Sequence, residues 1–144
     1  MTLRSIVKPF EALTPRELHD AYRLRCEVFV VEQRITAEPE VDDYDPAAVF
    51  HLIYEGDHCM ATARVLPGTS ERPAKVCRVC VAGAQRGRGL GRRLMSEIDR
   101  RLAGQPATLH AQVQLEGWYA GLGWRREGAV FMEAGIEHVL MCKP

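Results

Sequence analysis

No apolar run in this 144-residue chain approaches the roughly 20 residues that cross a bilayer as a helix. Met1 to Phe10 has no signal-peptide core, so a cytoplasmic location is expected. A charge excess is missing as well. Nineteen Lys and Arg balance nineteen Asp and Glu, which removes any global electrostatic reason to bind nucleic acid or a membrane and leaves only a local basic cluster to consider. The five cysteines are an odd count and argue against a complete internal disulfide framework. Cys77-Arg78-Val79-Cys80 has redox or zinc spacing, but it lies in Ala74 to Val81, which reads as a buried strand. Residues three apart on a strand face opposite sides, so two thiolates there would not converge on one ion. No second cysteine pair or His-x3-His completes a four-ligand set, and no metal is expected.

What is present suits one folded domain over residues 1–144, long enough to bury a core without disulfides or metal. Leu3 to Val7 reads as a first strand. Thr14-Pro15-Arg16-Glu17 then starts a helix, with Thr14 as N-cap, Pro15 at the first helical position and Glu17 closing a capping box. The helix carries Leu18, Tyr22 and Cys26 on one stripe and could run through Val28 to Val31. Ile35 to Asp45 is acidic, contains Pro39 and reads as a loop. Val49 to Tyr54 and Cys59 to Val65 form a hairpin across Glu55-Gly56-Asp57, and Ala74 to Val81 is the next strand.

From Leu90 the apolar period changes from 2 to 3.6: Leu90, Leu94, Ile98 and Leu102 make one stripe, ended by Gly104 and Pro106. Ala107 to Val113 reads as a strand and Leu115 to Leu122 as a short helix stopped by Gly123. Trp124 to Glu133 and Glu137 to Cys142 read as the final strands. The expected fold is α/β (α+β), with a central mixed, mostly antiparallel sheet of about seven strands flanked by helices.

Between strand and amphipathic helix lies Arg86-Gly87-Arg88-Gly89-Leu90-Gly91, a physical device for holding phosphate. Glycine opens conformations closed to other residues and lets the backbone approach a ligand. The first N–H groups of the helix lack internal partners and sit at its positive end. Arg86, Arg88, Arg92 and Arg93 add cations. A P-loop would need Gly-x4-Gly-Lys-Ser/Thr, and no such lysine is present. A dinucleotide fingerprint would need Gly-x-Gly-x-x-Gly, whereas Gly87, Gly89 and Gly91 alternate.

The pattern Arg/Gln-x-x-Gly-x-Gly/Ala is met by Arg86-x-x-Gly89-x-Gly91. It resembles the pyrophosphate-binding segment of the GCN5-related N-acetyltransferases (GNAT). Gln112-x6-Tyr119-x3-Gly123-Trp124 resembles the late helix of that family, and the order of elements agrees along nearly the whole chain. Leu24 to Gln33 together with Glu133-Ala134-Gly135-Ile136-Glu137-His138 is similar to the ElaA/YjcF-like branch.

The resemblance implies transfer of an acetyl group from acetyl-coenzyme A, without a metal, to a primary amine of a small molecule or peptide by direct attack. It implies cofactor contacts from Val79, Cys80, Val81, Arg86, Gly87, Arg88, Gly89, Leu90, Gly91, Arg92 and Gln112. The strand around Val79 to Val81 would splay from its neighbour, and Tyr119 would act as general acid to the departing thiolate. The base stays open among Glu32, His51, Glu133 and His138. Arg64 and Arg78 are charged residues in apolar strands that would bind an acidic part of the acceptor if they face a cleft. The acidic stretch Glu38 to Asp45 is either an approach for a cationic amine or a solvated loop. A homodimer is plausible, nucleic acid and membrane are not expected partners, and the alternative reading is a non-catalytic acyl-coenzyme A sensing module.

Overall fold

The computed structural model describes residues 2–144. One mixed sheet of eight strands runs through the molecule: β1 (Leu3–Pro9), β2 (Val49–Glu55), β3 (His58–Leu66), β4 (Ala74–Val81), β5 (Ala107–Gln112), β6 (Arg125–Arg126), β7 (Phe131–Glu133) and β8 (Ile136–Lys143). Their order is β1-β2-β3-β4-β5-β8-β6, with β7 also paired to β8. Every pairing is antiparallel except β4 with β5.

Helix α1 (Pro15–Arg25) starts as its sequence dictates. The Thr14 hydroxyl accepts from the Glu17 N–H at 3.1 Å, and the Glu17 carboxylate accepts from the Thr14 N–H at 2.9 Å. The helix does run on through the Val28 cluster, but Cys26–Glu32 is wound as a π-helix, and the Gln33 N–H reaches back five residues to the Val28 carbonyl at 3.0 Å. Helix α2 (Leu90–Leu102) buries Leu90, Leu94, Met95, Ile98 and Leu102. α3 (Glu116–Ala120) is one short turn after β5.

Alternation along the strands separates two cores. Ile53, Ala61, Ala63, Val65, Val76, Leu109 and Ala111 face α2, while Phe50, Leu52 and Tyr54 face α1 with Ala21. One face is therefore covered by α1, and the other by α2 with α3 against it.

Two expectations from sequence are corrected here. The strand expected over Trp124 to Glu133 is broken. Arg126 pairs with Met141 and Phe131 with His138, so five steps on one side span three on the other, and the extra residues loop out at Gly128, whose φ is +93°. The cysteine pair also shares one face. Cys77 pairs with Arg64 and Cys80 with Thr62, so Arg78 and Val79 together oppose Ala63 alone. That is a β-bulge, with Arg78 in the left-handed region at φ +55°. The extra residue flips the parity of β4, which alternation alone does not foresee. Among the described residues no group of three or more His, Cys, Asp or Glu side chains is gathered as a metal site would need.

Candidate active site

β4 and β5 pair only from Ala74 with Ala107 to Val76 with Leu109. Beyond that point the two strands no longer pair, and Cys77–Val79 and His110–Gln112 line the two sides of the opening. A cavity of about 740 Å³ occupies it on the α1 face of the sheet, within the size range of small-molecule sites.

At the end of β4 the chain turns into the glycine loop. Gly87 and Gly89 have φ of +85° and +75°, and Gly89 is the residue that caps α2. A Cβ at either would meet nothing within 4 Å, so backbone conformation rather than crowding calls for glycine there. Gly91 is different: a Cβ would lie 3.2 Å from the Trp118 ring, so this glycine seats α2 against α3. The first intrahelical bond of α2 is from the Arg93 N–H to the Gly89 carbonyl at 3.0 Å, which leaves the N–H groups of Leu90, Gly91 and Arg92 without acceptors inside the helix.

The arginines separate by role. Arg86 donates to both Glu32 carboxylate oxygens at 2.7 and 2.8 Å, and Arg88 pairs with Glu55 at 3.1 Å. Arg92 is exposed. Arg93 turns away from the loop to Ser5 and Glu97 on the far side. Leu90 buries its side chain in the core and offers only backbone to the loop. On β4, Val79 lines the cavity and Val81 packs toward α2. Cys80 is buried against Leu24 and Val28, and burial pushes its thiol well above the ordinary range, so it is an inert hydrophobe.

Tyr119 is 6% exposed, lies edge-on to Trp118 at 4.9 Å between ring centroids, and reaches the cavity wall. Burial, with a smaller effect of Cys80, pushes its phenol up to about 12, so it holds its proton across the physiological range. Gln112 spans the opening: its Nε2 donates to Gln33 Oε1 at 2.8 Å, and its Oε1 accepts from Gln114 at 2.7 Å.

The four candidates for the base part company. His51 lies on the α2 face, opposite the cavity, where its Nε2 accepts from Arg101 at 2.9 Å. Burial, reinforced by the Arg101 charge, lowers it to about 4. It is a neutral structural acceptor, not a cleft base. Glu32 is tied to Arg86 at the glycine loop, and that guanidinium holds its carboxyl below the usual range. Glu133 and His138 do line the cavity. With them is His110, which the sequence reading passed over. The signal was present, because the period of 2 in Ala107–Gln112 puts His110 on the same face as Gln112.

Arg64 and Arg78 face the cleft but are already occupied. Arg64 is bonded to Asp42 at 2.6 Å and Asp45 at 2.9 Å. Arg78 is bonded to Glu40 at 2.7 Å and Asp42 at 3.3 Å. Arg25 completes the network with Glu40 at 2.9 Å and Asp45 at 2.8 Å. Three guanidinium groups thus meet three carboxylates, and Arg25 and Asp45 are 1% and 0% exposed. Within the acidic segment Glu40, Asp42 and Asp45 are internal counter-ions, while Glu38 and Asp43 are exposed, Glu38 at the cavity wall. Burial alone would raise Asp45, but the Arg25 and Arg64 guanidiniums outweigh it and hold the carboxyl below its usual range.

The domain is thus a mixed α+β fold with a parallel strand pair that parts beside a glycine-capped helix and a protonated tyrosine at the cavity wall. Residues 17–144 match the acetyltransferase (GNAT) domain family, and the chain belongs to it. YjcF of Bacillus subtilis, an uncharacterized N-acetyltransferase, is 30% identical over 141 residues, covering 95% of this chain and 99% of its own. An acyl-CoA N-acyltransferase from Pseudomonas aeruginosa superposes with a TM-score of 0.91 at 31% identity, over 99% of this chain and all of that one. Escherichia coli ElaA does so with a TM-score of 0.89 at 28% identity, over the same shares of the two chains. The chain is a GNAT acyltransferase of the kind its sequence resembles, and nothing in these likenesses supports a non-catalytic sensing module. Among the described residues no helix is long and apolar enough to cross a membrane.

Proposed function

We propose that this protein transfers an acetyl group from acetyl-coenzyme A to a primary amine of a small molecule or peptide by direct attack, as a single N-acetyltransferase domain over residues 1–144. The observation that carries this is the opening between β4 and β5, with Tyr119 in its wall and with β4 running on through the glycine loop into a glycine-capped helix N-terminus. The catalytic domain of Tetrahymena GCN5, alike in fold alone at 16% identity, was solved in complex with coenzyme A. The residues here fit that group. Free N–H groups at Leu90, Gly91 and Arg92, with Arg86, Gly87, Arg88 and Gly89, would cradle its phosphates. The backbone of Val79, Cys80 and Val81 and the Gln112 amide would hold its arm. When bound, acetyl-coenzyme A would supply the activated acetyl thioester.

The chain's own part is to position, polarise and protonate. Holding acceptor and thioester together supplies several kcal/mol of barrier lowering. A β4 backbone N–H would steady the developing negative charge on the carbonyl oxygen. Tyr119 would give its proton to the departing sulfur. Tyr119→Phe should therefore lower kcat on the order of 10²-fold or more, while calorimetry finds acetyl-coenzyme A affinity unchanged. Unaltered thiol release in the variant would remove Tyr119 from the chemistry. A cytoplasmic location and a homodimer belong to the same proposal, to be read by cell fractionation and sedimentation velocity.

A further inference from the structure

The strand registers bring five polar or aromatic side chains to one face beside the opening. Gln112 pairs with His138 and His138 with Phe131, while His110 is two residues from Gln112 and Glu133 two from Phe131. All five therefore point to the cavity side of the sheet. His110 Nδ1 lies 2.9 Å from Glu133 Oε1. A carboxylate oxygen only accepts, so His110 Nδ1 carries the hydrogen. His138 Nδ1 lies 2.8 Å from the Ile136 carbonyl and must donate in the same way. Its Nε2 is 3.7 Å from Glu133 Oε2, which brings the second carboxylate oxygen to the same cluster. Phe131 sets both rings, edge-on to His110 at 5.0 Å and stacked on His138 at 6.0 Å.

Only one nitrogen of His110 is used. With Nδ1–H given to Glu133, the neutral ring keeps its lone pair on Nε2, which makes no protein hydrogen bond among the described residues, and the side chain is 28% exposed at the cavity wall. A carboxylate that fixes the tautomer of an imidazole whose other nitrogen is free is the arrangement of a general base with its orienting group. We propose that His110 accepts the proton of the acceptor amine, with Glu133 as its positioning residue and His138 and Phe131 as its support. This rests on the acetyltransferase reading above.

The step balances as follows. His110 Nε2 takes the proton that the acceptor nitrogen sheds as it bonds to the acetyl carbon. Tyr119 gives its hydroxyl proton to sulfur as the carbon–sulfur bond breaks. Water then returns the proton from the imidazolium to the phenolate, leaving an amide and a free thiol.

Two measurements test it. In the intact wild-type protein, nitrogen-detected NMR of the imidazoles should show His110 in the Nδ1–H tautomer at neutral pH, and Glu133→Ala should abolish that preference. An Nε2–H tautomer in the wild type would overturn the proposal, whatever the protein acetylates. For turnover, spermidine, a lysine-containing tetrapeptide and kanamycin are screened by thiol release. On whichever amine the wild type uses, His110→Ala should lower kcat by about 10²- to 10⁴-fold with acetyl-coenzyme A affinity kept, and added imidazole should restore part of the rate. Glu133→Ala should lower kcat at nearly constant KM for the amine. A His110→Ala rate within threefold of wild type would refute the base. Failure of the wild type to bind acetyl-coenzyme A would instead defeat the acetyltransferase reading, and the tautomer would still decide the dyad.

Discussion

Replacing Asp45 by Asn leaves the side-chain shape nearly unchanged, so what it removes is charge. Asp45 is fully buried and accepts from Arg25 at 2.8 and 3.1 Å, from Arg64 at 2.9 Å, and from the Asp42 N–H at 3.1 Å. In the wild type, three carboxylates neutralise three guanidiniums. In the variant one positive charge is uncompensated where Arg25 and Arg64, at 1% and 3% exposure, cannot reach water. Removing one partner of such a buried pair costs about 3–5 kcal/mol, a large part of the roughly 5–15 kcal/mol by which domains are stable. At about 3 °C per kcal/mol for a chain of this size, Tm should fall by roughly 10–15 °C. A thermal melt reads that shift, and urea unfolding followed by circular dichroism reads the free-energy loss, with an unchanged slope showing that the same surface is exposed. Glu27→Gln is the control. Its pair with Arg23 is exposed, with side chains 52% and 70% accessible, and should shift stability by no more than about 0.5 kcal/mol. A loss below about 1 kcal/mol for Asp45→Asn would refute the reasoning, because it would mean that the network relaxes or hydrates when one charge is removed.

The pH dependence has a defined sign. Asp42 and Asp45 are both held below their unfolded values in the folded chain, the arginines overcoming burial in each case. Such groups contribute stability that is present above the unfolded carboxylate range and lost as pH falls through the folded values. Asp45→Asn should therefore be less stable than wild type at neutral pH and show a shallower decline below about pH 4.

Other outcomes follow from single contacts. His51 is lowered to about 4 in the fold, so the unfolded chain binds a proton that the native one refuses between roughly pH 6.5 and 4. His51→Gln should remove a loss on the order of 3 kcal/mol over that window, read by urea melts at intervals of pH, and an unchanged acid slope would count against it. Gly89→Val places a β-branched residue at φ +75° with open space around it. The backbone should cost about 1–2 kcal/mol, while calorimetry should find acetyl-coenzyme A binding weakened tenfold or more. A folded variant that binds as wild type would refute the cradle.

Local rules made much of the fold legible. The Thr14–Glu17 capping box and the Leu90–Leu102 stripe are set by neighbours three or four residues away, and both form as read. The glycine loop was legible because a missing lysine excludes the P-loop and the alternation of its glycines excludes the dinucleotide loop. What escaped depends on distant residues. Nothing within Ala74–Val81 marks Arg78 for a left-handed conformation; its guanidinium is bound by Glu40, thirty-eight positions earlier. For the same reason the acidic stretch left two readings open, an approach for a cationic amine or a solvated loop, because the arginine partners of Glu40, Asp42 and Asp45 lie in other elements. His110 is the opposite case: its strand period placed it beside Gln112, but its partner Glu133 becomes visible only when β8 sits between β5 and β7.

The bulge and the ion network are one device. Glu40 Oε2 accepts from Arg25 Nε at 2.9 Å and from Arg78 Nε at 2.7 Å, so one carboxylate joins the end of α1 to the bulged residue of β4. The last pairing of β4 with β5 is Val76 with Leu109, and the ladder of β4 with β3 is interrupted two residues later at Arg78. The sheet thus opens next to where the clamp holds it. A non-glycine residue in the left-handed region costs about 1–2 kcal/mol, and a bound guanidinium offsets that cost only while its carboxylates stay in place. The contacts that stabilise the domain therefore meet β4 at the edge of the cleft, two residues beyond its last pairing with β5.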